Sequence, residues 1–308
     1  MRYLITGACG FIGSHLVERL LLEDCEVFVV DDMSEGKLRN LPQDTRIKVY
    51  ERSILDDSVS ECFKDIDVVF HLAAFTRPQW SIVHPAEACR TNVEGTVRVF
   101  NHCVENDIKR VVFVSSSSAY GEQTVYPTKE HYKMNPMSPY ALNKWEGELH
   151  ADMFRKLHGL EVNSIRPFNV YGSRQSPRSF YSAAVPKFID TLLSGKQPYI
   201  TGDGEQRRDF IHVDDVVEII FLASKCKASG EAFNAGSEIN TSINDLYWTI
   251  CKVMDLDVEP RYVDKVFEPA MTLSDMSKVE RILKFKPKVA LEEGLRKTVE
   301  AYEKTDWS

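Results

Sequence analysis

Tyr140 and Lys144 stand four residues apart in Ser-Pro-Tyr-Ala-Leu-Asn-Lys, at the start of a helical pattern, so their side chains share one face. A phenol normally titrates near pH ~10, too high for a general base at neutral pH. A lysine ammonium beside it favours the phenolate and lowers that value. Upstream, Val114-Ser115-Ser116-Ser117-Ser118-Ala119-Tyr120-Gly121 ends an apolar run in a cluster of serines. Serines at the carboxyl end of a parallel strand overlook a ligand crevice, and one hydroxyl can relay a proton between Tyr140 and a substrate oxygen. The plainer reading, a polar loop satisfying its own backbone, fits at least one of them. By itself a Tyr-x-x-x-Lys pattern is a frequent chance match. What makes it specific is the company it keeps.

That company begins with Thr6-Gly7-Ala8-Cys9-Gly10-Phe11-Ile12-Gly13, which follows an apolar strand and opens a helix. Gly7, Gly10 and Gly13 let the backbone turn sharply, approach a pyrophosphate and pack helix on strand. The helix N-terminus then offers free N–H groups and partial positive charge to the phosphates. Asp31 ends the second strand, where a carboxylate accepts hydrogen bonds from the adenine ribose and repels a 2′-phosphate. Asp32 reinforces this, and the expected cofactor is NAD; Lys37 and Arg39 are the nearby residues that would suit NADP. An oxidised nicotinamide over Tyr140 would help Lys144 to favour the phenolate.

Elements that could position these groups are legible along the first half. Strands are predicted at Arg2–Thr6, Glu26–Asp31, Ile47–Glu51, Val68–His71, Val111–Ser115 and Glu161–Arg166, and helices at Ser14–Leu22, Asn92–Asn106 and Tyr140–Leu157. The alternation implies an α/β chain: a Rossmann-type doubly wound parallel sheet over residues 1–166. Val213–Ala223 and a strand near Phe233 are expected to return residues 211–235 to it, while 167–308 form mainly a smaller C-terminal α/β lobe. Leu142, Trp145, Leu149, Met153 and Phe154 make an apolar stripe read as core packing, with a subunit interface as the alternative.

The 308 residues, 43% hydrophobic and 27% charged, suit an ordinary globular protein. A net charge of −8 argues against a nucleic-acid surface. No apolar run approaches the roughly 18 residues of a membrane span, and the N-terminus shows no signal-peptide pattern. Seven dispersed cysteines have no metal-like spacing and read as reduced thiols of a cytoplasmic protein.

Taken together, TGACGFIGSHL, HLAA, TNVEGT, SSSSAYG, SPYALNKWEGE, RPFNVYG, GDGEQRRDFIHVDD, FNAGS and KPKVALEEGL resemble, nearly end to end, the extended short-chain dehydrogenase/reductases, specifically the nucleotide-sugar epimerases and dehydratases. The resemblance implies Tyr140 as catalytic base, Lys144 as its partner and Ser116 as the catalytic hydroxyl. It places Phe11, Ile12, Asp31, Leu72, Ala73, Ala74, Thr91 or Asn92, Ser115 and Pro167 at cofactor-contacting positions, and Thr76 and Ser117 near the sugar. Asn169 and Arg208 match residues that grip the nucleotide diphosphate. Three positions depart from the pattern. An Asp-Ile pair that meets adenine reads Ser53-Ile54, and a second phosphate-binding arginine aligns with Lys265 in Lys265-Val266-Phe267-Glu268. A position whose bulk goes with exclusion of 2-acetamido sugars is Thr272, so N-acetylhexosamines are expected to fit.

Family members oxidise the sugar at C4 and then diverge. Dehydratases and decarboxylases carry carboxylates where this chain has Ser117 and Ser118, which favours an NAD-dependent 4-epimerase acting through a transient 4-keto intermediate on UDP-hexoses. The alternatives are a 4,6-dehydratase or decarboxylase of the same family, with Glu122 or Glu130 as a carboxylate source, and a non-catalytic NAD-binding sensor. The resemblance also implies a homodimer paired through the helix bearing Tyr140 and its neighbour.

Overall fold

The computed structural model describes residues 1–177, 183–266 and 268–305. Strands β1 (Arg2–Thr6), β2 (Glu26–Asp31), β3 (Ile47–Glu51), β4 (Val68–His71), β5 (Arg110–Val114) and β6 (Glu161–Pro167) alternate with helices α1 (Phe11–Leu20), α2 (Pro78–Val83), α3 (Pro85–Cys89), α4 (Gly95–Glu105) and α5 (Pro139–His158). Then come β7 (Val170–Tyr171), α6 (Ala184–Leu193), β8 (Tyr199–Thr201), β9 (Arg207–Asp209), β10 (Ile211–His212), α7 (Val213–Lys225) and β11 (Ala232–Ala235). The chain closes with β12 (Asn240–Ser242), α8 (Ile243–Met254), β13 (Arg261–Val263), α9 (Ser277–Leu283) and α10 (Leu291–Lys304).

Seven strands form one sheet in the order β11-β6-β5-β4-β1-β2-β3, with every pairing parallel. Alternate side chains serve opposite faces. Tyr3, Ile5, Val27 and Val29 pack with α1, α7 and α9. Leu4, Phe28 and Val30 pack with α4 and α5. Chain order reverses between β1 and β4, and the crevice over their carboxyl ends is where a doubly wound sheet takes a ligand. A third apolar cluster joins α6, α8 and α10 beyond Tyr171.

Three expectations need correction. Helix α1 starts at Phe11 rather than Ser14, because Gly13 belongs to its first turn and not to the loop. The helix expected at Asn92–Asn106 is divided into a π turn (Arg90–Glu94) and α4. The apolar stripe on α5 is not core: only Phe154 packs inward, while Leu142, Leu149 and Met153 are exposed and Trp145 is half-buried. Helical spacing tells which residues share a face, not what that face meets. The ends of α5 obey local rules, with Ser138 Oγ accepting from the Ala141 N–H at 3.2 Å, Pro139 in the first turn, and Gly159 left-handed at φ +69°. Among the described residues, no helix is long and apolar enough to cross a membrane.

Buried histidines tie the layers together. His71, on β4, lies 2.7 Å from Thr6 Oγ1 and 3.0 Å from Thr96 Oγ1. Thr96 donates to the Asn92 carbonyl, so it accepts from His71 Nε2–H; Thr6 accepts the Ala73 N–H and donates to Nδ1. One neutral tautomer satisfies every group. Burial pushes the His71 pKa down to about 3, with the Lys144 charge adding to it. His15, between the Phe11 carbonyl and Ser173 Oγ, is pushed down to about 4 by burial and then by Arg174. Both folded-state values lie below the unfolded 6.5, so their contribution is complete above that pH and is lost as pH falls toward the folded values. Between pH 7 and 5 stability should drop by up to roughly 1.4 kcal/mol per pH unit for each histidine. Denaturant titrations across that window check this, and a midpoint that stays constant would refute it.

Candidate active site

The glycine turn is built by exclusion. Gly7 has φ +76°, and a Cβ there would sit 2.7 Å from the Ala73 backbone nitrogen; a Cβ on Gly13 would sit 2.2 Å from the Gly7 carbonyl oxygen. At Gly10 it would meet only that same oxygen at 3.4 Å. Gly7 and Gly13 thus draw three backbone segments together, while Gly10 leaves space above the start of α1. No side chain caps this helix, so the first-turn N–H groups of Phe11, Ile12 and Gly13 lack intrahelical acceptors. The cradle suits a pyrophosphate.

Asp31 is buried beside it. Its Oδ2 accepts from the Cys9 N–H at 2.8 Å and its Oδ1 from the Met33 N–H at 2.9 Å, and burial raises its pKa against both bonds. A carboxylate keeps lone pairs beyond those two, enough for a ribose. Asp32 departs from its expected part, because it is exposed and its Oδ1 is taken by the backbone and hydroxyl of Ser34. Ser53 is spent on its own turn, with its hydroxyl accepting from the Leu55 N–H at 3.2 Å. Ile54 is core, filling the space under Gly95.

Leu72, Ala73 and Ala74 leave the end of β4 half-buried along the crevice. Asn92 does not turn its amide there: Oδ1 accepts from the Phe75 N–H at 2.6 Å, and Nδ2 donates to the Phe75 carbonyl at 2.9 Å. It holds this loop, and Thr91 beside it is half-buried. Thr76 is exposed on the same loop, and the neighbouring Arg77 pairs with Glu35 across from the β2 side.

Tyr140, Lys144 and Ser116 do converge. Burial raises the pKa of the Tyr140 phenol, and the neighbouring Ser116 hydroxyl opposes the rise. The Tyr140 N–H donates to Ser81 Oγ at 3.0 Å. Lys144 is buried, donates to the Val114 carbonyl at 2.8 Å, and is pushed down to about 7 by burial, with Glu148 opposing. The lysine is therefore turned to a strand carbonyl. Ser116 Oγ also lies 2.7 Å from Ser118 Oγ, with Ser117 half-buried between them. Ser115 differs from expectation: its hydroxyl donates to Glu148 at 2.5 Å and its N–H to the Ile165 carbonyl at 2.8 Å. Pro167 is buried at the end of β6, paired with Ala235.

Across the crevice, Asn169 Nδ2 donates to Thr272 Oγ1 at 3.3 Å and to the Asp209 carbonyl at 2.9 Å. The Arg207 carbonyl accepts from both Arg208 and the Thr272 N–H, which brings Arg208, Asn169 and Thr272 into one group. Arg208 is buried and paired with Glu268 at 2.9 Å. Lys265 is not in that group. It is exposed and lays its stem along Gly202, and Phe267 two residues on lies outside the described residues.

Sequence reasoning missed several residues that build the site. Glu148 lies one turn beyond Lys144 on the same face of α5, a spacing that could have flagged it. Its partner Arg166 interrupts an apolar strand, a second usable signal. Asp209 and Ser81 gave none, because their partners are far along the chain: Asp209 accepts from Ser237 and Ser274. Among the described residues, no cluster of His, Cys, Asp and Glu is arranged to hold a metal ion.

The different surroundings of the glycines make a clear test. Gly10→Ala should fold with little loss of stability yet retain much less NAD on purification, since the added methyl fills the phosphate cradle. Gly13→Ala should lower the melting temperature itself. Bound nucleotide measured by absorbance alongside thermal melts distinguishes the two, and equal behaviour of the variants would contradict this account.

Comparison with known proteins agrees with this geometry. Residues 3–236 match the model of the NAD dependent epimerase/dehydratase family. The chain is 36% identical to the UDP-glucose 4-epimerase of Mycolicibacterium smegmatis, covering 98% of each. Its fold superposes with TM-score 0.95 on the UDP-glucose 4-epimerase of Thermotoga maritima with UDP-glucose, at 36% identity and 99% coverage of both chains. The UDP-N-acetylglucosamine 4-epimerase of Methanobrevibacter ruminantium, in complex with UDP-N-acetylmuramic acid, gives TM-score 0.95 at 36% identity and 98% coverage of both. The glycine cradle, the Tyr140–Ser116–Lys144 group and this likeness along the whole chain lead to one conclusion: the protein belongs to the NAD dependent epimerase/dehydratase family.

Proposed function

We propose that the protein is a nucleotide-sugar 4-epimerase acting on UDP-hexoses, N-acetylhexosamines included. Tyr140 removes the 4-hydroxyl proton, with Ser116 bonded to both its phenol and the sugar oxygen, and Lys144 holds the carboxyl end of β5 in place beneath them. NAD, when bound, supplies the acceptor and donor of the C4 hydrogen. The 4-keto sugar then swings about its phosphate linkage, and Tyr140 returns the proton after the opposite face is reduced. Arg208 is assigned to the diphosphate, since a guanidinium meets phosphate bidentately; the sugar nucleotide would displace or share Glu268. The lobe that grips it is drawn mainly from residues 167–308, with 211–235 returning to the sheet and α9 packed on that sheet as well.

The observation that carries plain epimerisation is that the turn following Ser116 contains no acidic residue. Positions 117 and 118 are serines, Glu122 is exposed, and the Glu130 carboxylate accepts the Asn234 N–H at 3.1 Å. Elimination of water across C5 and C6 would need an acid/base pair there. Thr272 supports acceptance of acetamido sugars because its side chain is short and is held back by Asn169.

Incubation with UDP-glucose, UDP-galactose and their N-acetyl forms, followed by NMR, tests this reading. Interconversion of 4-epimers is expected, and a dehydrated or decarboxylated product would refute it. Tyr140→Phe should lower kcat by about 10²- to 10⁴-fold, the usual worth of a general acid/base, while NAD stays bound.

We also assign the protein to a homodimer built on α5. Leu142, Leu149, Met153 and Leu157 are 40%, 53%, 51% and 69% exposed along one face of the helix, and an isologous pair would cover that face on both copies. Replacing Leu149 and Met153 together by Glu should leave a folded monomer in sedimentation; a monomeric parent protein would contradict the assignment. The free cysteines, mostly buried, suit a reducing cytoplasm.

A further inference from the structure

The serine-rich turn that carries Ser116 is held at both ends by one buried guanidinium. At its start, Ser115 Oγ donates to Glu148 Oε1 at 2.5 Å. That carboxylate is forked by Arg166, through Nε to Oε1 at 2.9 Å and through a terminal nitrogen to Oε2 at 2.6 Å. At its end, Tyr120 Oη accepts from the other terminal nitrogen of Arg166 at 2.7 Å and donates to Asn234 Oδ1 at 2.7 Å. The same nitrogen reaches the Glu130 carbonyl at 2.8 Å. Only 6% of the Arg166 side chain and 10% of the Glu148 side chain are exposed.

A buried ion pair of this kind is weak evidence of stability, because desolvation offsets much of the attraction. Its geometry is more telling. Glu148 follows Tyr140 and Lys144 at four-residue steps on α5, so the carboxylate that holds Ser115 also registers the tyrosine's helix against the end of β5. Ser116 lies between the two fixed ends, its hydroxyl 2.7 Å from Ser118 Oγ and accepting the Ser118 N–H at 3.1 Å, and it opposes the rise of the Tyr140 phenol's pKa. We propose that Arg166, acting through Glu148 and Tyr120, is a positioning residue that sets Ser116 against Tyr140. The inference rests on the reading of those two as the proton-transfer pair.

Removing Arg166 or Glu148 would strand a buried charge and could unfold the protein. Ser115→Ala and Tyr120→Phe each release one end of the turn and keep the ion pair, so they are the informative variants. The first readout needs no substrate: ultraviolet titration of the Tyr140 phenol in the NAD-bound protein, each variant measured against the same protein carrying Tyr140→Phe. Ser116 opposes the rise of the phenol pKa, so displacing it moves the titration to higher pH in both variants. The second readout is kinetic. With whichever UDP-sugar the parent enzyme converts, kcat falls by about 10- to 100-fold and KM stays within about twofold, as for a reacting group displaced by about 1 Å. A phenol that titrates as in the parent overturns the proposal. So does a loss of kcat matched by a rise in KM and by losses of bound NAD and melting temperature, which would make the clamp purely structural. A parent enzyme inert toward every UDP-sugar would defeat the epimerase reading instead, and the phenol titration would still decide this one.

Discussion

At the carboxyl end of β1 there is no room for side chains, and this constraint organises the molecule. Gly7 brings its backbone against Ala73, and Gly13 brings the first turn of α1 against Gly7. Helix α1 can then lie close on the sheet with its N-terminus aimed across the crevice, and the loop after β4 runs alongside. A larger residue at either position would push α1 off β1 and misalign the N–H groups of its first turn. Close packing here is also what puts Asp31 within reach of the Cys9 N–H, which links the cradle to the ribose side.

The other side of the crevice depends on buried polar groups rather than on close backbones. Lys144, His71, Glu148 and Arg166 all sit in the sheet or against it, where an unpaired charge is costly. Each is met by a specific partner: a strand carbonyl for Lys144, two threonines for His71, a fork for Glu148 and Arg166. Such a network allows few alternative arrangements, because any shift leaves a buried donor or acceptor unsatisfied. Reacting groups on a turn acquire the rigidity of the sheet in this way. Burial also brings Lys144 to about 7, so its charge is sensitive to whatever enters beside it.

The C-terminal lobe follows a similar logic around Asp209. Its carboxylate accepts from Ser237 and Ser274 hydroxyls and from backbone N–H groups of the same segments. Three stretches distant in sequence are thereby joined, and Asn169, Arg208 and Thr272 meet at that junction. Glu268 neutralises Arg208, which avoids leaving a lone buried guanidinium.

The sequence by itself determined the strands of the sheet, because buried parallel strands are short apolar runs bounded by turns. The glycine cradle and the shared helix face of Tyr140 and Lys144 are legible there too, since both follow from local geometry: backbone without Cβ, and helical spacing of four. Tertiary structure alone decided what each face meets. It turned the α5 stripe outward, directed the Ser115 hydroxyl to Glu148 and the Asn92 amide to Phe75, spent Asp32 on its own turn and left Lys265 at the surface. Periodicity and motif spacing fix where a side chain leaves the backbone. The partner it finds depends on segments folded against it from far along the chain, and for Ser116 that partner set runs through Arg166, fifty residues away in sequence.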